Sequence, residues 1–148
     1  SKEETPKVIS DDEKVETFVV AGEFENVAGP VEAHSDVMIL RSNFKIGGKK
    51  EFLIPEGYNA LVYQLDGSLM VNNETKVDGK NMLHLNNDGT SIAIEALSDS
   101  RIILLSGAPI GEEVSTYGPF VMNTENEIKQ AILDYQSGKM GILTENFE

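Results

Sequence analysis

The stretch Gly118-Pro119-Phe120-Val121-Met122-Asn123-Thr124, continued by residues 125–138 (ENEIKQAILDYQSG), is the place from which the chain can be read. Thr124 can cap a helix through its hydroxyl, while Glu127, three residues on, can return to the cap's own N–H, the reciprocal capping box. Ile128, Ala131, Ile132 and Tyr135 then fall at i, i+3, i+4 and i+7 and make one apolar stripe, with Glu125, Glu127, Lys129, Gln130 and Asp134 on the polar side. The pattern predicts a helix over 125–137 that Gly138 stops. Ahead of it, Gly118-Pro119 sets a bend, and Phe120, Val121 and Met122 offer apolar anchors before the cap.

Upstream the period changes from helical to short. Apolar or alternating runs occur at 15–21, 37–44, 51–54, 60–65, 68–71, 82–85, 91–97 and 101–105. Turn residues separate them: Gly47-Gly48, Glu56-Gly57, Asp66-Gly67, Asn72-Asn73, Asp78-Gly79, Asp88-Gly89 and Ser98-Asp99-Ser100. Eight short strands is the count of a barrel or a double-sheet jelly roll. In the run Ser91 to Ala96 the Ile92, Ile94, Ala96 face is the buried one, which puts Glu95 on the opposite, solvent side. Residues 1–14 are charged, carry Pro6 and show almost no apolar period, so they read as a lead-in or interdomain linker. The remainder, 15–148, reads as one domain with its helix packed outside the barrel. The tail from Met140 to Phe147 is too short for a further element.

Composition excludes several classes of activity. With no cysteine there is no disulfide framework, no thiolate metal site and no Cys nucleophile. Twelve basic residues against twenty-five acidic ones give a net charge of -13, which repels phosphate backbones and argues against direct nucleic-acid binding. No apolar run approaches the roughly 18 residues of a membrane span. No Gly-x-Ser-x-Gly elbow, Walker sequence or metalloprotease helix occurs. We therefore expect no membrane or nucleic-acid partner and a cytoplasmic location.

The closing segment resembles that of the pirin family, in which a GPFVMNT-type turn and a helix ending in D-Y-x-x-G follow the last strand of the C-terminal cupin domain. Three further segments resemble the same domain in the same order. They are Val20-Ala21-Gly22-Glu23-Phe24 with Gly29-Pro30-Val31, Leu53-Ile54-Pro55-Glu56-Gly57-Tyr58-Asn59-Ala60 on to Gly67, and Ile103 to Glu112 (ILLSGAPIGE). Together they cover most of residues 18–138. The resemblance implies a mainly β fold, the cupin-type double-stranded β-helix or jelly-roll barrel, with one C-terminal α-helix.

Pirins are bicupins, so the resemblance also implies an N-terminal cupin partner preceding this one. In that half the family carries a non-haem iron held by three His and one Glu, and its members are linked to flavonol ring cleavage of the quercetin 2,3-dioxygenase type and, in animals, to iron-dependent transcriptional co-regulation. Laid on the iron half's H-P-H-x-G-F-E segment, the two His positions are Leu53 and Pro55 here. The counterpart of its G-x-x-H-x-E run, Thr90-Ser91-Ile92-Ala93-Ile94-Glu95, has no His. The resemblance thus points to the metal-free half: no catalytic residues and no cofactor in this chain, with iron expected only in the N-terminal domain. A half separated from its twin would expose an apolar face, so homo-oligomers are also expected.

Against this stands one constellation. His34-Ser35-Asp36 with His84 has the spacing of a two-His-one-carboxylate iron triad, because alternate residues on a strand share a side. His34, however, precedes its strand rather than lying inside it, and the favoured reading is a pair of ordinary histidines. The alternative is a stand-alone small cupin that binds a metal or small ligand through His34, Asp36 and His84. Tyr58, Tyr63, Tyr117 and Tyr135 read as core or interface packing. Asn73-Glu74-Thr75 matches a glycosylation sequon but sits where a hairpin turn is expected. Gly47-Gly48-Lys49-Lys50 is a small basic spot with no helix after it, so it is no phosphate loop.

Overall fold

Val15, Thr17, Val19 and Ala21 alternate with half-exposed neighbours along β2 (Val15–Ala21), and the four are almost completely buried. This two-residue period, repeated in strand after strand, builds the fold. A computed structural model describes residues 5–141. The chain divides between Pro109 and Ile110 into two compact units.

The first unit holds β1 (Lys7–Ile9), β2, β3 (Glu23–Phe24), β4 (Val27–Ala28), β5 (Val37–Phe44), β6 (Lys49–Leu53), β7 (Asn59–Asp66), β8 (Ser68–Val71), β9 (Thr75–Asp78), β10 (Asn81–His84), β11 (Ser91–Ala96) and β12 (Ser100–Gly107). A six-stranded sheet runs β1-β2-β5-β12-β7-β10 and a four-stranded sheet β6-β11-β8-β9, with β3 and β4 as a small ribbon. Every named pairing is antiparallel.

Of the two outcomes that the strand count allows, a barrel or a double-sheet jelly roll, the closed barrel is not formed. The two sheets are separate hydrogen-bonded ladders with open edges at β1, β10, β6 and β9. They are joined by packing instead: Val19, Leu40, Val62, Ile102 and Leu104 of the large sheet share one core with Phe52, Leu69, Ile92 and Ile94 of the small one. Phe52 lies at the join, its ring centroid 6.4 Å from that of Phe44 and 5.6 Å from that of Phe24.

Residues 7–9, inside the charged lead-in, form the edge strand β1. Alternation is invisible there because the strand is largely exposed; backbone pairing with β2 and the Lys7–Glu16 ion pair (2.7 Å) accompany it. Lys49 and Lys50, the basic spot after Gly47-Gly48, pair with Glu95 (2.9 Å) and Glu25 (2.6 Å). Each lysine thus has an acidic partner in the fold, Lys50 in a largely covered position and Lys49 in an exposed one.

The second unit holds the hairpin β13 (Ser115–Tyr117) and β14 (Phe120–Met122), turned at Gly118-Pro119, and then α1 (Glu125–Gln136). The capping box is present in full: Glu127 N–H donates to Thr124 Oγ1 (3.3 Å), and Thr124 N–H donates to Glu127 Oε2 (2.8 Å). Ile128 and Ala131 are buried, and the Tyr135 ring meets Phe120 edge-on at 6.2 Å. Gly138, at φ 75°, ends the helix. Of the tail, residues 142–148 lie outside the described residues.

Thr124→Ala removes the acceptor of the box and is expected to cost about 1 kcal/mol of helix stability. Amide hydrogen exchange in α1 should accelerate roughly fivefold, with β12 amides unchanged.

Candidate functional site

The residues laid on the family's iron ligands come together in the structure, but on the wrong chemistry. β6 and β11 pair directly, with Leu53 opposite Ser91 and Phe52 opposite Ile92. Just beyond the end of β6, Ile54 N–H donates to Thr90 O (2.8 Å), fixing the two segments side by side. Alternation then decides what faces inward: Phe52, Ile54, Ile92 and Ile94 are buried, whereas Leu53 is 70% exposed and Pro55 is exposed. Glu95 faces away from the core and pairs with Lys49. None of the inward side chains can donate to a metal, so the donor set does not fit the iron that the resemblance implies for the other half.

The His34, Asp36, His84 constellation is not assembled either. His34 and Asp36 lie in the exposed segment between β4 and β5, whereas His84 ends β10. Asp36 Oδ2 accepts from the Tyr58 hydroxyl (3.3 Å). Among the described residues, no group of three or more His, Cys, Asp or Glu side chains is placed to hold a metal ion.

What the fold builds instead is a cavity of about 370 Å³ in the first unit. Its apolar wall is Ile54, Ala60, Val71, Leu83, Leu85 and Ile92. Its polar rim includes Asn72, Glu74, His84, Asp88 and Ser91. Two loops frame that rim. The β8–β9 hairpin turns on Asn72 and Asn73, both in the left-handed region (φ 51° and 57°), and Asn72 Oδ1 accepts from Ala93 N–H (2.9 Å). The sequon therefore lies in a hairpin tip, as expected from its turn residues. Opposite, the segment after β10 is held by Leu85 N–H donating to Ala60 O (3.1 Å) and by Asn87 Nδ2 donating to Asn59 Oδ1 (3.0 Å).

Of the four tyrosines only Tyr58 lines this cavity. Loss of water pushes its phenol above the ordinary value, and the Asp36 carboxylate adds to the shift, so the hydroxyl stays a neutral donor at physiological pH. Tyr63 is partly exposed on β7, and Tyr117 and Tyr135 belong to the second unit. Nothing local in the sequence marks Asn72, Glu74 and Asp88 as a common site, because they are brought together only by sheet pairing.

The family described as the Pirin C-terminal cupin domain matches residues 39–141. Human pirin is 31% identical over 144 residues, covering 94% of this chain and 49% of its own length. Pirin-like protein 2 of Arabidopsis thaliana is 36% identical over 135 residues, covering 86% of this chain and 42% of its own. Among solved structures, quercetin 2,3-dioxygenase from Acinetobacter baumannii matches with a TM-score of 0.86 at 31% identity, over 97% of this chain and 50% of that one. The chain thus spans about half the length of these relatives. No helix among the described residues is long and apolar enough to cross a membrane. By the match over residues 39–141 and by relatives of more than 30% identity, the chain belongs to the pirin family, and the part of the family it matches is the C-terminal cupin domain.

Proposed function

We propose that this chain is the non-catalytic, structural or regulatory half of a pirin-type bicupin, working beside an N-terminal cupin that carries iron and any quercetin 2,3-dioxygenase-like chemistry. One observation carries the reading: where β6 and β11 meet, the positions facing the core are Phe52, Ile54, Ile92 and Ile94, all apolar and buried. A site that activates oxygen on a metal needs several fixed N or O donors and an open position. Such a wall of hydrocarbon instead stabilises the fold by burial. We read the two facing sheets as the cupin jelly roll in an opened form. The match to about half of each relative's length supports a cupin partner in the intact protein.

The test is elemental analysis of the purified 148-residue chain after exposure to iron, nickel and copper and removal of excess by gel filtration. The expected content is well below one metal ion per chain for each of the three, with no oxygen consumption on a flavonol. One tightly held ion per chain would sink the proposal. Co-expression with a pirin-type N-terminal cupin should yield a stable complex in which that half alone accounts for the iron.

A further inference from the structure

We propose that the cavity bounded by the β8–β9 hairpin and the segment after β10 is a binding site for a small molecule with an apolar, aromatic-sized body and a cationic ammonium head. This goes beyond the role of a metal-free partner domain, since it gives this half a ligand of its own. The volume of about 370 Å³ lies within the range of small-molecule sites, about 300 to 1,000 Å³. Its lining is divided about evenly, with a hydrocarbon wall on one side and a polar rim on the other, so a ligand that fits it has one apolar and one polar end. Ile54, Ala60, Val71 and Ile92 on that wall are each less than one-tenth exposed and come from both sheets, so the wall is part of the rigid core rather than a flexible loop.

The charge of the head follows from the rim. Glu74 and Asp88 stand on the two loops that frame the opening, and neither carboxylate has an ion-pair or hydrogen-bond partner among the described residues. No lysine or arginine lines the cavity. The whole chain carries a net charge of -13, which adds the same sign at longer range. An anionic head would meet two exposed carboxylates and no lysine or arginine, whereas an ammonium group would be attracted by both. Tyr58 does not alter that balance. It is the aromatic residue of the lining, and its hydroxyl is donated to Asp36, so it brings no cation to the cavity.

The test uses three indole probes of one size and different head charge: tryptamine (cation), indole-3-ethanol (neutral) and indole-3-acetate (anion). Each is titrated into the 15N-labelled 148-residue chain at pH 7. Shifts are expected at the amides of Val71, Leu83, Leu85 and Ile92, with tryptamine binding roughly tenfold tighter than indole-3-acetate and the neutral probe between them. In Glu74→Gln/Asp88→Asn, two exposed substitutions that leave the core intact, tryptamine should fall to the level of indole-3-ethanol, whose own binding is unchanged. Equal affinity for all three probes, tighter binding of the anion, no saturable binding of tryptamine, or shifts confined to residues elsewhere would each overturn the proposal. The titration reads this cavity and elemental analysis reads metal, so the two readings fail separately.

Discussion

Phe52→Ala is expected to cost about 3–5 kcal/mol of unfolding free energy, the range for removing a fully buried phenylalanine from a core that cannot collapse around the void. Phe52 has no exposed surface, and it is contributed by the small sheet to the core shared with the large one. Its ring is stacked on Phe24 from the β3–β4 ribbon and tilted against Phe44 from β5, so one side chain ties three separately hydrogen-bonded pieces together. Because no ladder joins the two sheets, apolar contact of this kind must do what strand pairing does in a closed barrel. Urea unfolding followed by circular dichroism measures the loss, with Phe52→Leu as the volume-sparing comparison. A loss under about 1 kcal/mol for the alanine variant would show that the sheets are not held through this residue.

Most of this architecture was legible wherever a strand buries one face. β2, β5 and β8 occupy the runs at 15–21, 37–44 and 68–71 to the residue, and β7, β11 and β12 differ from their runs by one or two residues at an end. β6 begins at Lys49, two residues ahead of the run at 51–54, because its first two residues are lysines that pair with β11 through the backbone and with Glu95 and Glu25 through their side chains, so they show no apolar period. Exposure hides β1 and β9, whose side chains are mostly in solvent, whereas β3 and β4 are hidden by their length of two residues each, too short to show a period. Period-two patterning reports burial, and a strand held by main-chain bonds alone leaves no such trace. At the other extreme, α1 was legible nearly to the residue, since its signals are local: cap, box partner, apolar stripe and stop lie within fifteen positions.

The site divides along the same line. That Leu53 and Pro55 cannot ligate a metal follows from their side chains alone. That Ile54 rather than Leu53 turns inward depends on which face of β6 meets the core, which a four-residue run does not specify. The cavity is further out of reach: Glu74 and Asp88 are fourteen positions apart, and nothing local relates a hairpin tip to the segment after β10. The pairing of β10 with β7 and of β8 with β11 sets that relation.

Gly67→Ala should be as damaging as emptying the core, at about 3–5 kcal/mol, for a reason that involves no hydrophobic surface. At Gly67 the chain leaves the large sheet at the end of β7 and enters the small one as β8, with φ at 87°. A Cβ there would stand 2.0 Å from Ser100 Oγ and 2.4 Å from Asp99 O. Neither neighbour can easily yield. Ser100 Oγ donates to Ser98 O (2.8 Å) and accepts from Ser68 N–H (3.0 Å), while the carbonyl of Gly67 itself accepts from Gln64 Nε2 and from Gly79 N–H, each at 2.9 Å. The substitution therefore adds a steric cost to a strained backbone and breaks the bonds of a buried corner. Gly57→Ala separates these terms, because Gly57 has a similar φ of 80° and nothing within 4 Å of where its Cβ would be. That variant pays for the backbone conformation alone, about 1 kcal/mol. Urea unfolding of the two should differ by at least about 2 kcal/mol. Equal losses would mean that the corner relaxes around the added methyl, and that the passage from one sheet to the other is held elsewhere than at Gly67.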